Sequence, residues 1–204
     1  MLHAAQVSAL ELVWFRPAPL RPKTAVTATA QLSITALAEI MAQKPDVLRA
    51  SLRRLRAVVH VPEEADELSL HVVHASFGDY LFERAADNLR IPSLLGDELL
   101  TRGCLGIMKK HLHFNVSQCY SSYVPNPPAE SSTVTLSLEY ACLEWAHHLA
   151  AIEQPEIMEA ELTDIFRSQF LFWLEVISIV DEVQRAEAML NLAASTVGYF
   201  TTLQ

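Results

Sequence analysis

The chain has 204 residues, of which 51% are apolar, so it can build one or two domains with sizeable cores and is not of the disordered class. Its net charge of −9 argues against general nucleic-acid binding, which needs a broad basic surface. Residues 1–56 carry eight Lys/Arg and three Asp/Glu, whereas residues 57–204 carry seven and 21, so a local basic face remains possible. Three widely spaced cysteines and the lack of an 18-residue uncharged apolar run predict a cytoplasmic protein with no membrane partner.

The first part of the chain predicts two short helices in tandem. Three prolines within residues 16–23 leave residues 1–31 as a divergent, weakly structured segment. Ser33 is a suitable cap for a helix that starts at Ile34, and Pro45 suits the first turn of a second helix. Leu48 and Leu52 would form the apolar face of that second helix.

A change to β-branched and alternating residues predicts a small β-hairpin. Residues 57–61 and 68–74 are its two strands, with a charged turn between them. A helix over residues 76–85 would close the unit. Helix, turn, helix and hairpin is the element order of a winged helix, predicted here over residues 32–88.

The remainder, residues 89–204, predicts an α-helical domain. Helices are expected over residues 94–112, 134–149, 156–167, 170–180 and about 186–193, with a loop over 117–132. Residues 170–180 are apolar nearly all round, which predicts that this segment is buried between other helices. The fold class is therefore mainly α with a small β-hairpin.

No motif predicts an enzyme. The chain lacks both G-x-x-x-x-G-K-[ST] and G-x-G-x-x-G, so we expect no nucleotide hydrolysis by the chain itself. Glu144 and His147 have the spacing that di-iron bundles use, but only one copy of the motif is present and we expect no metal site.

Four arginines follow one another closely on the second helix, where a DNA-reading helix would place its contacts. Two interpretations stay open: a surface that docks on an acidic protein domain, and the contact helix of a DNA-binding winged-helix regulator that uses Arg49, Arg53 and Arg56. The four residues are Arg49, Arg53, Arg54 and Arg56.

Several short motifs, in order, resemble the winged-helix and helical region that follows the nucleotide-binding core in fungal NACHT-type proteins, which are NLR-like members of the STAND class of signalling NTPases. The resemblance covers about residues 32–190. The motifs are LSITALAEI (32–40), DVLRASLRRLRAVVHVP (46–62), VHASFGDYL (73–81), RGCLGIM (102–108), FNV (114–116), YACLEWAHHL (140–149) and FLFWLEV (170–176).

The resemblance implies a non-catalytic regulatory and interaction module for signal transduction. In the family, ATP or ADP is bound by an upstream domain, and downstream WD40, ankyrin or similar repeats sense a ligand; this chain contains neither. Expected partners are protein domains, including a nucleotide-binding domain or a second copy, and not nucleic acid.

The resemblance also gives His74 a candidate role. A histidine at this place in related proteins contacts the phosphate of the bound nucleotide, which here would come from a partner NTPase domain. The usual next residue is aspartate, and here it is Ala75. A histidine that only satisfies the end of a strand is the alternative.

Overall fold

A computed structural model describes residues 33–53, 56–57, 59–61, 71–72, 93–120, 123 and 133–198. These residues are mainly helical, which confirms the predicted predominance of α structure. The chain divides into two compact units, residues 1–96 and residues 97–204. The N-terminal segment 1–31, the helix expected over 76–85, and His74 lie outside the described residues.

Two helices in tandem form the described part of the first unit. Helix α1 spans Ile34–Ile40, and the Ser33 side chain accepts a hydrogen bond of 3.2 Å from the Ala36 amide, as a helix cap does. Helix α2 spans Pro45–Leu52 and begins at its proline. Leu48 and Leu52 are completely buried. Both predicted helix starts are confirmed.

Two short strands follow in the same unit. Strand β1, Val59–His60, pairs antiparallel with strand β2, His71–Val72. Val59 faces Val72 and His60 faces His71 in the register. The predicted turn between them lies outside the described residues.

Helix α3 spans Ser93–His111, where the sequence predicted a helix over 94–112, and it carries a buried apolar stripe. The four residues of the stripe are each at most 4% exposed: Leu100, Cys104, Ile107 and Met108. Lys109, Lys110 and His111 occupy the last turn. Basic side chains there are attracted by the partial negative charge at the carboxyl end of the helix. A non-helical segment, residues 112–120, follows.

Helix α4 spans Leu136–Ala151 and begins two residues later than predicted. Thr135 is the cap, because its hydroxyl accepts a 3.3 Å hydrogen bond from the Leu138 amide. The expectation that the helix starts at Val134 was therefore wrong by two residues. Trp145 and Leu149 on this helix are completely buried.

One long helix replaces the two that the sequence predicted between residues 156 and 180. A 3₁₀ turn spans Pro155–Met158, and helix α5 runs without interruption over Glu159–Ile179. The expectation that residues 170–180 are buried between other helices was wrong for one face, since Leu171 is 72% exposed. Trp173, two residues later, is completely buried on the opposite face.

Helix α6 spans Val183–Val197 and ends at Gly198, whose φ of 67° is readily adopted by glycine. It packs chiefly against α4, and α5 packs against both. The Trp145 and Trp173 rings meet edge to face, with centroids 6.4 Å apart, and the Trp173 indole donates a 3.0 Å hydrogen bond to the Cys142 carbonyl. These two tryptophans form the centre of the helical core.

Candidate functional site

The arginine cluster lies at the end of α2 and just beyond it. Arg49 is half-buried in the last turn, whereas Arg53 and Arg56 are exposed. Arg53 caps the helix, and Arg56 lies in the turn that follows, with its amide 3.4 Å from the Arg53 carbonyl. Because α2 ends at Leu52, Arg53 and Arg56 lie beyond the helix on which the sequence placed them. Arg54 lies outside the described residues.

The chemistry of this cluster is that of an anion-binding surface. Guanidinium groups remain charged at any physiological pH and bind carboxylates or phosphates through two parallel hydrogen bonds. Leu48 and Leu52 are buried and anchor α2 in the core. The position of the Arg53 backbone at the end of the helix is therefore fixed. Arg49 and Arg53 also oppose the dipole at the carboxyl end of α2, which is a structural reason for their presence.

A second polar arrangement is buried in the helical unit. The Nδ1 atom of His148 lies 3.1 Å from Oδ1 of Asp97, and its Nε2 atom lies 2.8 Å from the Tyr140 hydroxyl. An ionised carboxylate can only accept, so Nδ1 carries the proton that points to Asp97. In the neutral imidazole, Nε2 then accepts from the hydroxyl of Tyr140.

This polar relay of Asp97, His148 and Tyr140 has the order of groups found in proton-transfer sites, but its burial gives it another role. The His148 and Asp97 side chains are 7% and 9% exposed, and Tyr140 is 8% exposed. The relay instead joins α3 to α4, and each polar atom gains a partner that it would otherwise lack in the core.

A charged cluster surrounds Glu144 on α4. Oε1 of Glu144 lies 3.1 Å from the Arg185 guanidinium, and Oε2 lies 3.3 Å from Nδ1 of His147. Burial alone would raise the pKa of the Glu144 carboxyl. The hydrogen bonds and charges of His147 and Arg185 outweigh that effect and lower the pKa to about 2.

The Glu144 cluster joins two helices and does not resemble a metal centre. Arg185 on α6 neutralises the carboxylate and also donates to the Leu143 carbonyl at 3.3 Å. Across the part of the chain that the structure describes, no group of three or more His, Cys, Asp or Glu side chains is arranged to hold a metal ion.

The two thiols in the helical core are poor nucleophiles. Cys104 on α3 and Cys142 on α4 are completely buried, and burial raises the pKa of each thiol well above its ordinary value. A thiol reacts as its thiolate, so neither residue is placed for covalent chemistry.

The polar relay and the contact between Arg185 and Glu144 were not predicted from the sequence. Tyr140 and His148 are eight residues apart on one predicted helix, which is farther than the spacing of three or four residues that brings helical side chains together. Asp97 and Arg185 come from distant helices, so only packing brings them to their partners.

Among the described residues, no helix is long and apolar enough to cross a membrane. Comparison of the chain with models of protein families, with curated proteins and with solved structures found no match in any of the three. The chemistry of the described residues is therefore the basis for a proposal about function.

Proposed function

We propose that this chain is a non-catalytic regulatory and interaction module of a NACHT/STAND-type signalling protein, with a winged-helix-like unit followed by an α-helical domain. The ordered motifs over residues 32–190 support the proposal. The element order agrees with it: two helices in tandem, two paired strands, then a helical unit.

The arginine cluster is the observation that carries the interaction role. The protein has a net charge of −9, yet it concentrates exposed guanidinium groups at the end of one short helix. Such a surface suits a partner domain with exposed carboxylates, since charge complementarity accelerates encounter and selects the partner. The resemblance points to a nucleotide-binding domain as that partner.

His74 would extend the same interaction. If the partner domain holds ATP or ADP, an imidazole at the end of the predicted second strand, residues 68–74, can donate a hydrogen bond to a phosphate oxygen. The chain then affects the partner's nucleotide state without having a nucleotide site itself.

The test begins with the transcript. Long-read sequencing should reveal an in-frame phosphate-loop domain encoded before Met1, and that domain should co-purify with this chain when the two are expressed together. Arg49→Glu with Arg53→Glu should abolish co-purification, because it places acidic groups against an acidic surface.

The matched control is Lys44→Glu with Val47→Ser, two exposed positions of the same segment, which should leave co-purification intact. Association that survives the arginine double variant would overturn the proposed surface. Tight binding of ATP by this chain alone, measured by calorimetry, would contradict the absence of a nucleotide site.

A DNA-binding regulator is the second candidate, because the arginines lie on and after the second helix of a tandem pair. It requires binding to duplex DNA that weakens steeply with salt and is lost in Arg49→Ala with Arg53→Ala. Absence of binding at low salt would eliminate this candidate.

A further inference from the structure

Two histidines occupy opposed positions on the two strands of the first unit. Strand β1 pairs antiparallel with β2, and His60 and His71 are partners in the register. The next pair along the register is Val59 and Val72. Successive residues of a strand alternate between the two faces of a sheet, so the histidine pair falls on one face and the valine pair on the other.

The pairing of the strands, and not the spacing within either one, brings the histidines together. In the strand predicted over residues 68–74, His71 and His74 are three residues apart and so belong to opposite faces. Strand β1 carries one histidine, His60. The antiparallel register therefore supplies the second histidine of the pair.

The spacing of opposed strand positions suits two imidazole ligands of one ion. Directly opposed residues of an antiparallel pair have Cβ atoms about 4.5 to 5.5 Å apart. A tetrahedral Zn²⁺ ion with nitrogen ligands at about 2.0 to 2.1 Å holds two of those nitrogens about 3.4 Å apart. Because an imidazole nitrogen lies beyond Cβ, two histidines at this spacing can converge on one ion without movement of the backbone.

The chemistry of the pair selects the class of ion. Neutral imidazole suits Zn²⁺, Cu²⁺ and Ni²⁺, whereas Mg²⁺ and Ca²⁺ prefer oxygen ligands. His60 is exposed, so water can fill the coordination positions that the protein leaves open. Since no larger group of metal-binding side chains exists among the described residues, the protein would supply two ligands, fewer than the four of a structural zinc site.

An ion at this place would act on the stability of the strand pair. Each strand has two residues, and an isolated two-stranded hairpin is marginally stable in water. An ion that binds one residue of each strand binds the paired state better than the separated strands. By mass action it therefore stabilises the pairing.

We propose that His60 and His71 bind one Zn²⁺ ion, which joins β1 to β2 on the face that His60 occupies. The ion has a structural role, because it holds together two strands that share few backbone hydrogen bonds. The residues differ from those of the arginine cluster, and the proposal does not depend on the proposed function. The two proposals can therefore fail separately.

The experiment is a calorimetric titration of the full chain, freed of metal by a chelator, with ZnCl₂. His60→Gln and His71→Gln should each weaken binding at least about tenfold, since each removes one of two ligands. The double variant should lose far less than the product of the two single losses, because one ion requires both residues. His113→Gln, at an exposed histidine of the helical unit, is the matched control and should bind with unchanged affinity.

Hydrogen exchange of the backbone amides, followed by mass spectrometry, shows whether the ion acts on the strands. Peptides that contain β1 and β2 should exchange several-fold more slowly with ZnCl₂ than with MgCl₂. Circular dichroism shows whether each variant is folded. Absence of Zn²⁺ binding, losses that multiply in the double variant, an equal loss in His113→Gln, or exchange that Zn²⁺ does not slow would overturn the proposal.

Discussion

At the scale of single residues, His148 is the polar side chain that links the buried polar groups of the helical unit. Its two ring nitrogens are engaged by Asp97 and Tyr140, which come from α3 and α4. A buried polar atom that loses its partner keeps the cost of its desolvation, so each member of this relay depends on the other two.

Tyr140→Phe should therefore lower the free energy of unfolding by about 1 to 3 kcal/mol, since Nε2 of His148 is left without its partner in the core. Urea denaturation followed by tryptophan fluorescence measures the change. Tyr120→Phe removes the same hydroxyl from a completely exposed ring and should leave the midpoint unchanged. Equal effects of the two substitutions would mean that the relay contributes nothing to stability.

Glu144 makes the stability of the folded protein depend on pH. The pKa of its carboxyl in the folded state, about 2, lies below the ordinary value of 4.5. The folded state therefore favours the ionised form, which stabilises it fully above pH 4.5, and this contribution disappears as the pH falls towards 2.

Glu144→Gln should cost about 2 kcal/mol of stability at neutral pH and progressively less below pH 4.5, because the wild type then loses the same charge. Thermal unfolding of both proteins between pH 7 and pH 2.5 measures the difference. Glu153→Gln, at an exposed position, should cost little at any pH. A difference between wild type and Glu144→Gln that stays constant with pH would contradict the assigned ion pairs.

At the scale of elements, capping residues were the most reliable guide to helix starts. Ser33 and Pro45 were each predicted to start a helix, and each does. The cap of α4 is Thr135, whereas the apolar spacing alone predicted a helix that starts at Val134. The local hydrogen bond of the hydroxyl, and not the apolar stripe, decides where α4 begins.

Thr135→Ala should destabilise the helical unit by about 1 kcal/mol, because the Leu138 amide loses its acceptor at the first turn of α4. The free energy of unfolding in urea measures this loss. Thr135→Ser retains the hydroxyl and should recover most of the stability. Equal stability of the alanine and serine variants would show that the cap is not needed.

Helix α5 shows why element ends and buried faces were harder to predict. The two predicted helices left Ser168 and Gln169 between them, yet neither residue excludes helix. Ser168 donates to the Asp164 carbonyl within the helix, and Gln169 donates to carbonyls at the end of α3. The hydrogen bonds of Gln169 are made to residues 109 and 112, which are distant in sequence. Local sequence patterns could not predict these contacts.

The candidate sites also differ in how far the sequence could predict them, depending on whether their residues are neighbours in the chain. The arginine cluster was visible in the sequence because its members are neighbours, although the end of α2 at Leu52 was not. The polar relay, the Glu144–Arg185 contact and the hydrogen bonds of Ser117 to Glu175 all join residues from separate elements. Their contacts follow from packing, which a linear pattern does not contain.

At the scale of the whole molecule, charge and packing both follow the division into two units. Residues 1–96 carry ten basic and ten acidic residues, so the net charge of −9 belongs to residues 97–204. The helical unit also has its own core around Trp145 and Trp173, together with buried residues from α3, α4, α5 and α6. A hydrophobic core of its own is what allows a domain to fold alone.

Residues 93–204, expressed alone from the start of α3, should therefore be helical by circular dichroism and unfold cooperatively in urea. Within this fragment, Trp173→Ala should remove about 3 to 5 kcal/mol, because it empties the centre of the core. Leu171→Ala, on the same helix but 72% exposed, should change stability by less than about 0.5 kcal/mol. A fragment that melts without a transition, or one in which the two substitutions have equal effects, would show that the helical unit needs residues 1–92 to complete its core.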